Sequence, residues 1–406
     1  MTELVRRRAV LVFLAFAFAY FFSALVRAIT ATLSPTLTQE FQLHARDLGL
    51  LAGGYFLGFA ATQLPLGTWL DRHGPKKVIL GFLAIAVAGC AAFATATSFS
   101  WLLAARVLCG VGVSACLMAP LTGYRRWLSP SSQLRANSWM LMTGSFGMLA
   151  STLPVQWLMP LWGWRPLFWA LAVLMAVSMA LIAWQVPRWE PQAADAPQAG
   201  SYAQVWRHPV FLRMTPIGFF SYGGMIAVQT LWAGPWMVRV AGLTPAEAAG
   251  GLFIINASML LTFWTWGLVT PTLVRRGWGA ERLIAWGLPL SFAASLFLIL
   301  AGSAGGAAAL ALFCVSSTFV ALAQPAVGMA FPPALAGRAL SAYNLVIFLG
   351  VFVVQWGVGL LIDAFRALGW QEVAAFRGAL AALLLSSVVS YGYFIWAKSH
   401  NPDQDT

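Results

Sequence analysis

One recurrence constrains this chain more than any other feature: apolar stretches long enough to cross a membrane follow one another along nearly its whole length. About twelve can be marked, each close to the ~20 residues that span a hydrocarbon core. Their approximate bounds are roughly 9–34, 47–69, 77–97, 101–123, 137–160, 166–187, 213–236, 246–270, 282–302, 306–331, 339–362 and 377–397. Of the 406 residues, 60% are hydrophobic and 9% are charged, whereas about a quarter are charged in an ordinary soluble domain. Arg6-Arg7-Arg8 followed by an apolar run resembles a signal peptide. That run continues for roughly 25 residues, beyond the ~7–15 of a signal core, so it is expected to be a retained first helix.

Lys and Arg set the expected orientation. Arg6, Arg7, Arg8, Arg72, Lys76, Lys77, Arg125, Arg126, Arg135, Arg188, Arg207, Arg213, Arg275, Arg276, Arg282, Arg338 and Lys398 fall on one side of the spans. Only Arg46, Arg165, Arg239, Arg366 and Arg377 fall on the other. The positive-inside rule then places both termini in the cytoplasm and requires an even number of spans. The same asymmetry accounts for the net charge of +12 without a nucleic-acid partner.

The polar segment Trp189–Ser201 is rich in Pro, Gln and Ala and is expected to be a flexible connector. It divides the chain into residues 1–187, a linker 188–212 and residues 213–406, with six spans in each half. The halves echo one another. Leu70-Asp-Arg72-His-Gly74 follows the second span and Leu273-Val-Arg275-Arg-Gly277 follows the eighth. Two related halves around a midplane site are the architecture of a secondary transporter. The expected fold is therefore all-α, with twelve transmembrane helices in two pseudo-symmetric six-helix bundles.

Two motifs carry a family resemblance. Gly67-Thr-Trp-Leu-Asp71-Arg72-His-Gly74-Pro-Lys76-Lys77 resembles the loop signature of the major facilitator superfamily. Leu102-x-x-x-Arg106-x-x-x-Gly110-x-Gly112 is similar to that superfamily's fourth-helix pattern. The resemblance implies a gating role for Gly67, Asp71, Arg72, Gly74 and Lys76, repeated in the second half by Arg275. Independently, a Gly-bearing turn suits antiparallel helices, and Asp71 can meet the positive end of a helix dipole. Arg106 has two open readings, snorkelling to the surface or packing on one side, and a part in transport on the other.

Arg27, within Tyr20-Phe-Phe-Ser-Ala-Leu-Val-Arg27-Ala-Ile29, narrows the resemblance. Its spacing to Pro35 is similar to that in the organophosphate:phosphate antiporters and the anion:cation symporters, where a first-helix arginine binds the substrate's anionic group. Gln63-x-Pro65-x-Gly67 and Asn344 also resemble the symporters, whereas Val113 stands where they often carry an acid. A fixed guanidinium fork can take a carboxylate or phosphate through two parallel hydrogen bonds. The alternative is geometric: Arg27 lies about 28 Å from Arg8 along a helix, so it can also snorkel to the outer surface. One and two turns back lie Ser23 and Tyr20. Gln63, Gln229, Trp232, Asn256, Gln324, Asn344 and Gln355 are further candidates for a site lining, or else for helix–helix bonds. Trp101, Trp164, Trp236 and Trp396 are expected at the membrane interface.

No Asp, Glu or His falls well inside a span, which leaves no buried proton carrier of the usual kind. Anion exchange or facilitated movement gains weight, while Glu40 or Asp47 could still take a proton near the outer mouth. The four cysteines, Cys90, Cys109, Cys116 and Cys314, lie in apolar runs and read as packing residues. No metal and no cofactor is expected, and no acid–base constellation suggests an enzyme. The expected function is movement of a small organic anion across the bilayer by a monomer, alone or with a coupling proton or counter-anion. Efflux of drug-like compounds is the alternative; the Gly-Pro pair typical of the drug antiporters' fifth helix is missing from Gly144–Pro154.

Overall fold

The computed structural model describes residues 4–189 and 202–398. In hydrocarbon each backbone group must find its partner within its own segment, and helices dominate accordingly; no strand occurs among the described residues. In chain order they are α1 (Arg6–Phe41), α2 (Ala45–Ala61), α3 (Gln63–Ala94), α4 (Phe99–Val113), α5 (Ala115–Trp127), α6 (Pro130–Ala150), α7 (Leu153–Trp162), α8 (Trp164–Gln185), α9 (Tyr202–Arg207) and α10 (Pro209–Pro216). After these come the short helices α11 (Gly223–Ala227) and α12 (Ala233–Pro235), then α13 (Pro245–Arg275), α14 (Ala280–Ala301), α15 (Ala307–Ser317), α16 (Ala323–Met329), α17 (Pro333–Ala367) and α18 (Glu372–Lys398).

Among the described residues nine helical segments are long and apolar enough to cross a membrane. The other three expected spans are present as interrupted helices. The second is divided between α2 and α3. The fifth breaks between α6 and α7, where Pro154 has no amide proton to continue the ladder. The seventh alternates α and π turns, with π-helical stretches at Ile217–Tyr222, Val228–Trp232 and Trp236–Val240. Many large apolar side chains face outward, including Trp157, Trp184, Trp286 and Leu300. Exposure on this scale suits a lipid surround.

Contacts resolve the described chain into two compact units. One takes residues 4–30 and 54–189, the other residues 31–53 and 202–398. Residues 31–53, which the sequence places in the first half, therefore pack with the second. Their partners show why. Gly49 lies on the Gln355 carbonyl, Gly53 on Phe352, and Gly359 on the Ala45 carbonyl. Asp363 accepts hydrogen bonds from the Ala45 and Arg46 amides at 3.2 and 2.9 Å, capping the start of α2 from 318 and 317 residues away.

In the first unit α3 packs between α4 and α8. Phe93 stacks on Phe168 with ring centroids 4.1 Å apart and meets Trp164 edge-on. Helices α2 and α4 approach closely at glycines: a Cβ on Gly58 would strike the Val107 carbonyl, and one on Gly110 the Tyr55 carbonyl. Small residues permit such contact in lipid.

The repeated Leu-x-Arg-x-Gly motif is a real structural echo. Gly74 and Gly277 both take positive φ, 75° and 79°. Gly277 and Trp278 close the end of α13 by bonding back to Val274 and Leu273, the Schellman pattern that favours glycine. At Gly74 the ladder kinks without ending, because Pro75 fits the first turn of the helix that follows.

Candidate functional site

In the first unit Arg27 sits on α1 among aromatic rings. Its guanidinium stands beside the Tyr20 phenol, and its Cζ lies 5.7 Å from the centroid of the Phe59 ring. Tyr55 of α2 also stands beside it. The Tyr55 hydroxyl is buried and has no hydrogen-bond partner among the described residues. Ser23, one turn back on α1, is fully buried and faces the Cys116 thiol of α5 without reaching bonding geometry. Gly144 of α6 makes room for the Tyr20 ring.

Arg106 does not snorkel. It is 1% exposed. Its Nη1 donates to the Val26 carbonyl at 2.8 Å and its Nη2 to the Arg27 carbonyl at 3.2 Å. The guanidinium also lies over the Tyr55 ring, 4.9 Å from its centroid. Arg106 thus ties α4 to the turn of α1 that carries Arg27, and Tyr55 lies against both cations.

Sequence reasoning anticipated Arg27, Tyr20 and Ser23 together but missed Tyr55, Phe59 and Cys116. A rule of helical spacing finds neighbours on one helix only. These three come from α2 and α5. Gln63, by contrast, turns back on its own chain and donates to the Phe59 carbonyl at 3.1 Å.

The second-half candidates form three pairs within the second unit. Gln229 donates to Asn256 at 3.0 Å, and Asn256 in turn donates to the Leu252 carbonyl. Gln324 donates to Asn344 at 2.6 Å. The Gln355 side chain donates to the Thr230 hydroxyl at 3.0 Å, while its carbonyl accepts from the Trp232 indole at 3.1 Å. These bonds pair amides that would be costly unpaired in an apolar bundle, although the Gln355 Oε1 stays buried with no partner among the described residues. The expected interfacial tryptophans divide: Trp101 and Trp396 are exposed, but Trp164 and Trp236 are buried, and Trp236 donates to the Gly305 carbonyl at 2.7 Å.

Of the expected gating residues, Gly67, Asp71, Arg72, Gly74 and Lys76 lie along α3, with Asp71 and Arg72 exposed. The loop is held by the end of α8 and the start of the connector. Lys76 donates to the Val186 carbonyl at 2.8 Å, the Trp189 side chain packs on Gly74, and Arg126 covers the Trp189 ring at 4.3 Å. Arg275 is exposed in the last turn of α13 and bonds locally to Thr272, at 3.3 Å. Most of the linker, residues 190–201, lies outside the described residues. Asp47 accepts from the His44 amide at 3.0 Å. No group of three or more His, Cys, Asp or Glu able to hold a metal occurs among the described residues.

A family model described as Major Facilitator Superfamily matches residues 16–355. The inner membrane transport protein YajR of Escherichia coli is 29% identical over 239 residues, which cover 56% of this chain and 48% of YajR. The probable sulfoacetate transporter SauU of Cupriavidus necator is 27% identical over 334 residues, 76% of this chain and 72% of that protein. The chain thus spans about half the length of YajR and nearly three quarters of SauU. Among solved structures, a bacterial homologue of the human lysosomal transporter Spinster superposes with a TM-score of 0.77 at 16% identity, covering 97% of this chain and 98% of that one.

Proposed function

Since the chain belongs to the major facilitator superfamily, a fold of multi-pass transporters, we propose that it carries a small organic anion of carboxylate or phosphate type by rocker-switch alternating access, with Arg27 as the anchor. One observation carries this reading. Asp71 is the single acidic residue among the described residues of the first unit, and it is exposed. Arg27 and Arg106 therefore give the interior of that unit a positive potential that no neighbouring carboxylate of the unit cancels. Tyr20 and the unspent hydroxyls of Ser23 and Tyr55 offer further bonds around the guanidinium. A cationic drug would meet only repulsion there, so efflux of such compounds fits less well. The sulfoacetate in the name of one relative supports an anionic substrate.

The remaining parts of the proposal follow from the sequence and the loop geometry. The halves 1–187 and 213–406 act as the two rocking bundles, joined by the 188–212 linker, so that the contacts of residues 31–53 with the second half break and re-form in each cycle. Asp71, Arg72 and Arg275 gate the cytoplasmic ends. The Lys and Arg distribution puts both termini in the cytoplasm of a cell whose inner membrane holds the protein as a monomer. A coupling proton or a counter-anion completes the cycle.

The test is a thermal-shift screen of purified protein against carboxylates, sugar acids, phosphates and amines. A ligand stabilises by RT ln(1 + [L]/Kd), so even weak binders register at millimolar concentration. An anion should raise the melting temperature of the wild type and leave Arg27→Ala unmoved, while Arg27→Lys keeps part of the effect. A response to amines alone, or an undiminished response in Arg27→Ala, rejects the anchor.

A further inference from the structure

The second unit holds a polar cavity that the transport reading does not use. Five serines line it, Ser221, Ser291, Ser295, Ser317 and Ser387, contributed by the π turn Ile217–Tyr222 and by α14, α15 and α18. The space between them is small, with room for about one water molecule. Hydroxyls converging from four elements inside an apolar bundle need a reason, because each must find a partner or remain costly.

Part of the need is met locally. Ser291 donates to the Leu288 carbonyl and Ser317 to the Phe313 carbonyl, each at 2.7 Å. A hydroxyl used in this way still presents its lone pairs. Ser221 has no such relief: it is 7% exposed, and its Oγ has no hydrogen-bond partner among the described residues. The cavity therefore offers several acceptors and one entirely unspent hydroxyl. No ionisable group lines it, so neither an anion nor a cation would find a counter-charge. The ligand that fits must be small, neutral, and able both to donate and to accept.

We propose that this cavity is a water-binding site, in which ordered water bridges Ser221 to the serines of α14, α15 and α18. Buried water in proteins makes about three hydrogen bonds to groups otherwise left unsatisfied, and this ring supplies them. The element that carries Ser221 gives the site its significance. Ile217–Tyr222 is the first of three π-helical stretches in one span, and π turns are rare and recur at functional places. Its backbone bonds run five residues back, as from the Gly223 amide to the Gly218 carbonyl. Moving one π turn along the span would rotate the intervening side chains by one position, about 100°. Gln229 and Trp232 lie on the same span. Water beside the turn supplies bonds while the backbone exchanges partners.

Hydroxyl-radical footprinting with pulsed X-rays, on the full chain in lipid nanodiscs, tests this directly, because radicals form from water bound at the site. Met225 lines the cavity and is 2% exposed, whereas Met329 is 76% exposed and reports on labelling efficiency. The expected result is oxidation of Met225 despite its burial. It should be lost in Ser221→Val, which fills the cavity, and kept in Ser221→Thr, which retains the hydroxyl. If Ser221→Val does not give folded protein, Ser295→Val reads the same site from α14. An unlabelled Met225 beside a labelled Met329 in the wild type, or labelling unchanged by the valine variant, overturns the proposal.

Discussion

Arg106→Met separates the cost of a buried charge from the value of its position. The substitution removes two hydrogen bonds, to the carbonyls of Val26 and Arg27, and the contact over Tyr55. Hydrogen bonds between membrane helices average about 0.6 kcal/mol, and a cation–π contact adds about 0.5–2 kcal/mol. The expected loss is therefore roughly 2–3 kcal/mol. Against it stands the removal of a guanidinium from the apolar interior, a relief of at least about 2.5–3.5 kcal/mol. The two carbonyls belong to α1, a helix that continues to Phe41, so its own ladder still serves them. The terms nearly cancel, and the melting temperature of the purified variant should barely move. Function should not survive so well, because α1 loses its tie to α4 at the turn that presents Arg27. The assay is the same melt with and without the anion that stabilises the wild type. At least tenfold weaker binding, about 1.4 kcal/mol, is expected with the fold intact. A stability loss above about 4 kcal/mol would make Arg106 a structural keystone instead. Undiminished binding would show that it does not position Arg27.

Three further substitutions test the geometry. Gly74→Ala should cost about 1–3 kcal/mol for a positive-φ, extended backbone that is essentially confined to glycine, plus a collision with Trp189. Adding Trp189→Ala should recover only the collision, which a double-mutant cycle in thermal melts will read. Gly110→Val should lower stability by about 1–3 kcal/mol or more through overpacking, since its side chain meets the Tyr55 backbone; an unchanged melt would mean α2 and α4 can separate freely. Asp363→Ala should cost about 0.5–2 kcal/mol, as loss of a helix cap does. A neutral result would mean that its bonds to Ala45 and Arg46 contribute nothing.

How much of this was readable beforehand depended on the distance over which each signal acts. Spanning helices announce themselves through composition, and the glycine turn at Gly74 through its loop motif. Arg27, Tyr20 and Ser23 were found because helical spacing relates them. The break at Pro154 was visible as a proline, yet its effect on the fifth span depended on Ser151 and Thr152 closing the preceding turn. The π turns at 217–222, 228–232 and 236–240 have no residue pattern of their own. Nor did any local feature pair Gln229 with Asn256 or place Tyr55 under Arg106, for those contacts are made between helices. Trp236 illustrates the same limit. Its position near a span end suggested an interface, but a carbonyl 69 residues away holds it inside.

The path of α1 and α2 bears on how the molecule is assembled. Each leaves one unit and enters the other partway along, near residues 30 and 53. A ribosome releases residues 31–53 long before Gly234, Gln355, Gly359 and Asp363, the groups against which that hairpin rests. The contacts between that hairpin and its seat can therefore form only after the later unit has been made. Severing the chain between residues 190 and 201 would accordingly leave one fragment with an orphaned hairpin and the other with an unfilled socket, each wanting what its counterpart holds.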